Sequence, residues 1–345
     1  MESSGIIKVR RFIMRLSRFL KLYLPALTII LVCVVMVMAE ERKEVGYIFG
    51  IKGSKEVYIK NKDGTRAATE LTLLFDGDIL ECKKDCALSI VLKDGRKIDL
   101  NGPNSYHIPA DLRNKKSNVK ENLIKIIERI KRKVMSSTEI GDEVVIGGLK
   151  GGELSSTITQ FTPRERVRDS NFAFRWEAIE GARGYLVKLY NSNDESLLWE
   201  GRSNENYVKY NGKELNRGDS YYWIIEADMG KDEKLVSGRQ YFTVISSSEN
   251  ELIRKEEREI NETLKEMEDR FYLQVLLGDT YEKYNLLIDA ERVYLEAIKI
   301  RPEERAVYAM LTRIYSKMDD YKNRNLYLQK YKELSQKGTL GDKKR

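Results

Sequence analysis

Two cysteines four residues apart, Cys82 and Cys86, carry the most definite chemistry in this 345-residue sequence. They flank Lys83-Lys84-Asp85, and the spacing predicts a disulfide across a tight hairpin, because facing strand partners lie about 4.5 to 5.5 Å apart at Cα, within disulfide reach. So small a ring contributes about 2 kcal/mol, a local staple. Two free thiols in a core are the alternative. Cys33 stands apart, inside an apolar run and preceded by Val32, where a lipid-attachment signal needs a small residue.

The remaining reactive residue types give little to build on. His107 is the single histidine, so no histidine cluster can bind zinc or serve a nucleophilic triad. Asp76-Gly77-Asp78 suggests calcium, yet no further carboxylates follow at EF-hand spacing. The glycines from Gly147 to Gly152 are not followed by a P-loop lysine helix and read as linker. Glycosidase acid pairs meet only in the fold, but small binding-type modules offer no catalytic cleft. No catalytic residue, cofactor or metal is expected, and a cell-wall or glycan-active enzyme is the weakest of the readings.

The elements that would position any site fall into distinct stretches. A basic segment with Lys8, Arg10, Arg11, Arg15, Arg18 and Lys21 precedes the uncharged run Leu22 to Ala39, then Glu40-Glu41-Arg42-Lys43. Residues 1–39 are expected to be a signal peptide cleaved after Ala39, or an uncleaved single-span inner-membrane anchor. The run spans roughly 27 Å as a helix, borderline for a hydrocarbon core of about 30 Å. Translation from Met1 or Met14 leaves the topology the same. The formal charge of +7 resides in this leader: six basic residues and Glu2 fall within it, leaving 55 basic and 53 acidic residues. Nucleic acid is therefore not an expected partner. The periplasm or cell envelope is the expected location, an oxidising compartment in which a disulfide persists.

From 44 to 112, short alternating runs (Val57-Tyr58-Ile59, Leu73-Leu74-Phe75, Leu88 to Leu92, Ile98-Asp99-Leu100) with turn signals at Asp63-Gly64 and Asp94-Gly95 predict a small antiparallel β domain. Over 116–160, Val119, Leu123, Ile126, Ile127, Ile130 and Val134 share one helix face among basic residues. They predict an amphipathic helix packed beside that β domain, or lying on a membrane surface, followed by a flexible linker. Over 168–246, alternation of Phe172, Phe174 and Trp176, of Tyr185, Val187 and Leu189, and of Tyr221, Trp223 and Ile225 predicts half-buried strands. Their aromatics fill a core or, alternatively, form a carbohydrate platform. Over 250–336 the period becomes helical.

Three of these stretches carry resemblances. Gly46, Phe49, Gly53 and Val57, then Leu74 to Ile79, Ala87 to Gly95, Pro103 and Ser105, together resemble the FecR domain over about a fifth of the chain. Leu215, Gly218 and Tyr221 before Trp223 resemble the corner of a fibronectin type III sandwich. Leu277-Gly278, Tyr281, Ala290, Tyr294, Ala297 and Pro302 resemble the tetratricopeptide (TPR) repeat; Leu311, Tyr315 and Leu328 form a degenerate second copy, and the charged helix from Glu251 caps the first.

The expected architecture is thus multidomain: a small all-β FecR-like domain, a β-sandwich, and C-terminal α-helical TPR hairpins. The TPR resemblance implies a partner-binding groove lined by Asp279, Glu282, Lys283, Arg313 and Lys317. The three modules together imply a non-catalytic envelope scaffold that binds an envelope protein or peptide, with cell-wall glycan as a further partner. The rival is a single-span FecR-type transmembrane regulator, which needs residues 1–21 to remain in the cytoplasm.

Overall fold

The computed structural model describes residues 42–53, 56–82, 85–93, 96–108, 121–138, 158–265 and 270–342. The leader at 1–39, the Asp94-Gly95 turn, Lys83-Lys84 and the Gly147–Gly152 linker lie outside them. Two compact units make up the chain, the first ending at Ser117 and the second starting at Asn118. Among the described residues, four sheets come before a C-terminal bundle of five helices, with one further helix between the first and second pairs of sheets.

The first unit holds β1 (Glu44–Gly53), β2 (Val57–Asn61), β3 (Gly64–Ala67), β4 (Leu73–Phe75), β5 (Ile79–Cys82), β6 (Cys86–Leu92), β7 (Lys97–Asn101) and β8 (Asn104–His107). They form two antiparallel four-stranded sheets, ordered β4-β1-β6-β7 and β3-β2-β5-β8. Alternating side chains such as Val57 and Ile59, Leu80, and Leu88 and Ile90 share one core. The hairpin turn between β2 and β3 sits one residue earlier than the Asp63-Gly64 signal suggests, since Asn61 pairs with Gly64 and Lys62-Asp63 forms the loop. The Asn61 side chain accepts the Asp63 N–H at 2.9 Å, which fixes that register.

Cys82 and Cys86 are joined as a disulfide with Cα atoms 5.8 Å apart. The expected hairpin is corrected: β5 pairs with β2 and β8, and β6 with β1 and β7, so the bond crosses from one sheet to the other. The chain turns this corner with Asp85 at φ 61°. Gly53, at φ +75°, lets the Asp85 carbonyl approach to where a Cβ would meet it at 1.9 Å, a place only glycine can occupy.

The second unit contains β9 (Gln160–Thr162), β10 (Glu165–Val167), β11 (Ala173–Trp176), β12 (Gly184–Asn191), β13 (Leu197–Ser203), β14 (Tyr207–Lys209), β15 (Ser220–Gly230), β16 (Glu233–Val236) and β17 (Gln240–Val244). A three-stranded sheet, β14-β11-β9, faces a six-stranded one, β10-β17-β15-β12-β13 with β16 on β15. Strand pairing begins at Gln160, ahead of the expected start at 168, because β9 pairs antiparallel with β11 and β10 adds parallel to β17. Phe174 and Trp223 meet across the core with ring centroids 4.9 Å apart. Trp176 and Trp223 are 0% exposed, so the core reading of these aromatics holds and neither can form a sugar platform.

Six helices complete the unit among the described residues: α1 (Glu121–Thr138), α2 (Ser247–Thr263), α3 (Phe271–Lys283), α4 (Leu287–Ile300), α5 (Arg305–Lys317) and α6 (Tyr321–Asp342). Ser246 and Glu249 form a reciprocal capping box that starts α2. Gly278 on α3 admits Tyr294 of α4, whose ring would stand 2.2 Å from any Cβ there. Helix α1 is the main departure from the sequence reading. The sequence reading groups it with the first β domain, whereas it belongs to the second unit, its apolar face packed on α3 and α5, where Ile127 and Ile130 become fully buried.

Four arginines on and beside the first strands of the sandwich, Arg166 and Arg175 on β10 and β11 and Arg164 and Arg168 flanking β10, tie it to the helices. Arg164 donates to Asp319 at 2.6 Å, Arg166 to Glu249, Arg168 to both oxygens of Glu257, and Arg175 to both oxygens of Glu291 at 2.8 and 2.6 Å. The stretches 168–246 and 250–336, which the sequence suggests as separate modules, are therefore joined in one compact unit. Paired guanidinium forks of this kind hold carboxylates in fixed orientation.

Candidate partner-docking groove

The five residues expected to line the groove lie on α3 and α5, as the helical period requires. Asp279 and Glu282 are one turn apart on α3, followed by Lys283; Arg313 and Lys317 are one turn apart on α5. Helix α1 lies against this face. Arg129 donates from Nε to Asp279 at 2.6 Å and from Nη2 to the Thr280 hydroxyl at 2.9 Å. One turn later Lys133 donates to Glu282 at 2.7 Å and pairs with Asp279 at 3.3 Å. Arg313 donates to Ser137 Oγ at 3.2 Å and lies 3.6 Å from Glu282.

The structure thus brings together Asp279, Glu282 and Arg313 around α1 and leaves the other two at its margin. Lys283 turns away to Glu256 of α2 at 2.6 Å. Lys317 supplies a backbone carbonyl to Arg164, and its side chain lines an open cleft of about 830 Å³ beside α1, shared with Arg132 and Ser136. Tyr294 donates its hydroxyl to Glu282 at 2.6 Å from beneath. Burial and the Glu282 carboxylate hold that hydroxyl well above its ordinary pKa, so it remains a donor.

The α1 contribution was missed in the sequence because its basic residues read as a solvated face. The usable signal was Arg129 and Lys133 at i,i+4 beside Ile126, Ile127 and Ile130, a cationic rim bordering the apolar stripe. The arginine seam had a signal as well, the alternation Arg164, Arg166, Arg168, in which the outer two flank the short strand β10 that carries Arg166.

Elsewhere the chemistry-bearing residues have structural partners. Asp78 is fully buried and accepts the Phe75 N–H at 2.9 Å, Asn61 Nδ2 at 3.0 Å, and Arg42. Those donors take the oxygens that a calcium ion would need. A second cleft of about 570 Å³ between the sandwich and α4 to α6 includes Glu291, whose carboxylate is held by Arg175 and by the Tyr315 hydroxyl at 2.7 Å. Among the described residues no group of three or more His, Cys, Asp or Glu stands together to hold a metal, and no helix is long and apolar enough to cross a membrane. No protein-family model and no curated protein matches the chain.

Proposed function

We propose that this chain is a non-catalytic scaffold of the bacterial cell envelope, exported or anchored through residues 1–39. In this reading the first unit is a FecR-like module that contacts an envelope partner or glycan. The two-sheet sandwich is a fibronectin type III-like spacer, supported by the Tyr221 hydroxyl accepting the Asn216 N–H at 2.9 Å near the corner. The α3–α4 and α5–α6 hairpins are TPR-like and dock a helical protein segment. The single observation that carries the proposal is the mixed-charge face of α3 and α5, which holds an amphipathic helix through Asp279, Glu282 and Arg313.

Affinity capture from the native envelope tests it. Wild-type protein and an Asp279→Lys variant with a normal melting profile are compared at moderate salt. Loss of the captured envelope proteins in the variant supports the scaffold reading, and identical capture excludes the groove as the docking site. N-terminal sequencing of the same material separates the scaffold from a transmembrane regulator. A mature end at Glu40 removes residues 1–21, the segment that the regulator reading needs in the cytoplasm, whereas their retention favours the regulator.

A further inference from the structure

We infer that α1 is a displaceable, built-in occupant of the α3–α5 groove, and that the groove's external ligand is a partner helix of the same chemistry, an apolar stripe bordered by two cations one turn apart. The inference rests on the docking reading above and deepens it by naming the ligand class and the device that regulates access.

Three observations carry it. The first is charge complementarity. The acceptors Asp279 and Glu282 are spaced to receive cations at i and i+4 of a helix, and Arg129 and Lys133 fill those two places. A partner helix with that pair reads the same acceptors.

The second is how lightly α1 is held compared with its neighbours. Among the described residues its fully buried apolar side chains are Ile127 and Ile130, while Met135 is 59% exposed near its end. By contrast α3 and α4 are interlocked by Gly278 and Tyr294, with Val275, Leu276, Ala290 and Ala297 all 0% exposed. Much of the remaining hold on α1 comes from partly buried ion pairs, Arg129 with Asp279 and Lys133 with Glu282, and a partner helix carrying the same two cations replaces these pairs in kind, leaving neither carboxylate stranded.

The third is the open cleft of about 830 Å³ left alongside α1. Among the described residues neither Arg132 nor the Lys317 ammonium, which both line it, has an ion-pair partner. The resident helix therefore does not fill its groove. A partner helix that matches the two cations and adds a carboxylate toward Lys317 makes contacts that α1 lacks. Because α1 is tethered, it competes at the high effective concentration of an intramolecular ligand, so the groove binds an external helix weakly until α1 lets go.

The test uses a fluorescent peptide of residues 121–138 titrated into the full chain. In an Arg129→Glu/Lys133→Glu variant the resident helix is repelled by Asp279 and Glu282, and the peptide is expected to bind at least roughly ten-fold tighter than to wild type. Adding Asp279→Lys should abolish that gain. Equal affinity for wild type and released variant, or no binding to the released variant, overturns the inference. Hydrogen exchange on the unmodified chain gives an independent check. Amides of α1 should exchange through a local opening that leaves α3 and α4 protected, and equal protection of all three would overturn the inference without relying on any variant. A wild-type dimer that the released variant loses would make the occupant a second copy's α1 and overturn the separate-partner assignment. Peptide exchange without any change in envelope capture would sink the scaffold reading and leave the exchange standing.

Discussion

Gly278 and Tyr294 occupy a single place between them: the tyrosine ring lies where a side chain at 278 would be, with its Cε1 2.2 Å from the position a Cβ would take. Two opposing effects act on Gly278→Ala. Helix propensity favours alanine by about 1 kcal/mol, and overpacking an interlocked core costs about 1 to 3 kcal/mol. Tyr294 is also fixed by its bond to Glu282, so it cannot swing away freely. Denaturant unfolding should show the variant about 1 kcal/mol less stable, and a stabilised variant would mean the ring relaxes at no cost.

Loss of the Cys82–Cys86 bond should weaken the first unit by about 2 kcal/mol, since the ring it closes is small. Strand pairing does not depend on the bond, because each cysteine belongs to a different sheet with its own partners. A Cys82→Ser/Cys86→Ser protein should therefore keep its β-sheet circular dichroism and melt earlier. Thiol labelling of denatured exported protein should find neither cysteine reactive; labelling of both would remove the disulfide from the native state.

Trp176 and Trp223 are both fully buried, but their indole nitrogens differ. Trp223 Nε1 donates to the Pro163 carbonyl at 2.8 Å, whereas Trp176 Nε1 has no hydrogen-bond partner among the described residues. Replacement by phenylalanine removes similar volume at each site. At 223 it also strands a buried acceptor, at a cost of about 1 to 3 kcal/mol. Trp223→Phe should be the less stable by at least about 1 kcal/mol, and Trp223→Ala should lose about 3 to 5 kcal/mol. Equal losses for the two phenylalanine variants would refute this account.

Acid should loosen the joint between sandwich and helices through Glu257. Burial pushes its carboxyl up, but hydrogen bonds from Arg168 and Tyr281 outweigh burial and bring the pKa below the ordinary 4.5. A depressed folded-state value stabilises the fold above the unfolded pKa, and that contribution disappears as pH falls through the depressed value. Burial raises the pKa of Asp289 nearby, so its contribution runs the other way and is lost as pH rises. Melting temperatures of wild type and Glu257→Gln, followed from roughly pH 6 to pH 3, should converge toward the acid end. Parallel curves would show that Glu257 does not govern the acid limb.

The sequence made local pattern visible and left long-range pairing hidden. Alternating Phe172, Phe174 and Trp176, and the helical spacing of Leu277, Tyr281, Tyr294 and Ala297, are set by the backbone period, and all but Leu277 are fully buried. The assignment of Asp279, Glu282 and Arg313 to one face follows from the same period. What faces them does not, because Arg129 and Lys133 lie about 150 residues away and look like any solvated basic residues. The Cys82–Cys86 pairing was visible from spacing, while the partition of β5 and β6 into different sheets depends on partners such as Val57 and Gly53 that no local rule selects. The carboxylates that meet Arg164, Arg166 and Arg168 were hidden for the same reason, since they come from the helical region far along the chain, Asp319 from the turn between α5 and α6.

Helix α1 also sits on the covalent path between the two units. With α1 docked, residues 109–120 alone join the last strand of the first unit to a fixed point on the second. At a maximum of roughly 3.5 Å per residue, that stretch can bridge no more than roughly 40 Å. If α1 leaves the groove as a helix, its length of roughly 27 Å and the residues 109–120 and 139–157 on either side raise the ceiling to roughly 135 Å. A ligand that takes the groove would therefore lengthen the leash on the first unit roughly three-fold, turning occupancy at one surface into reach at another.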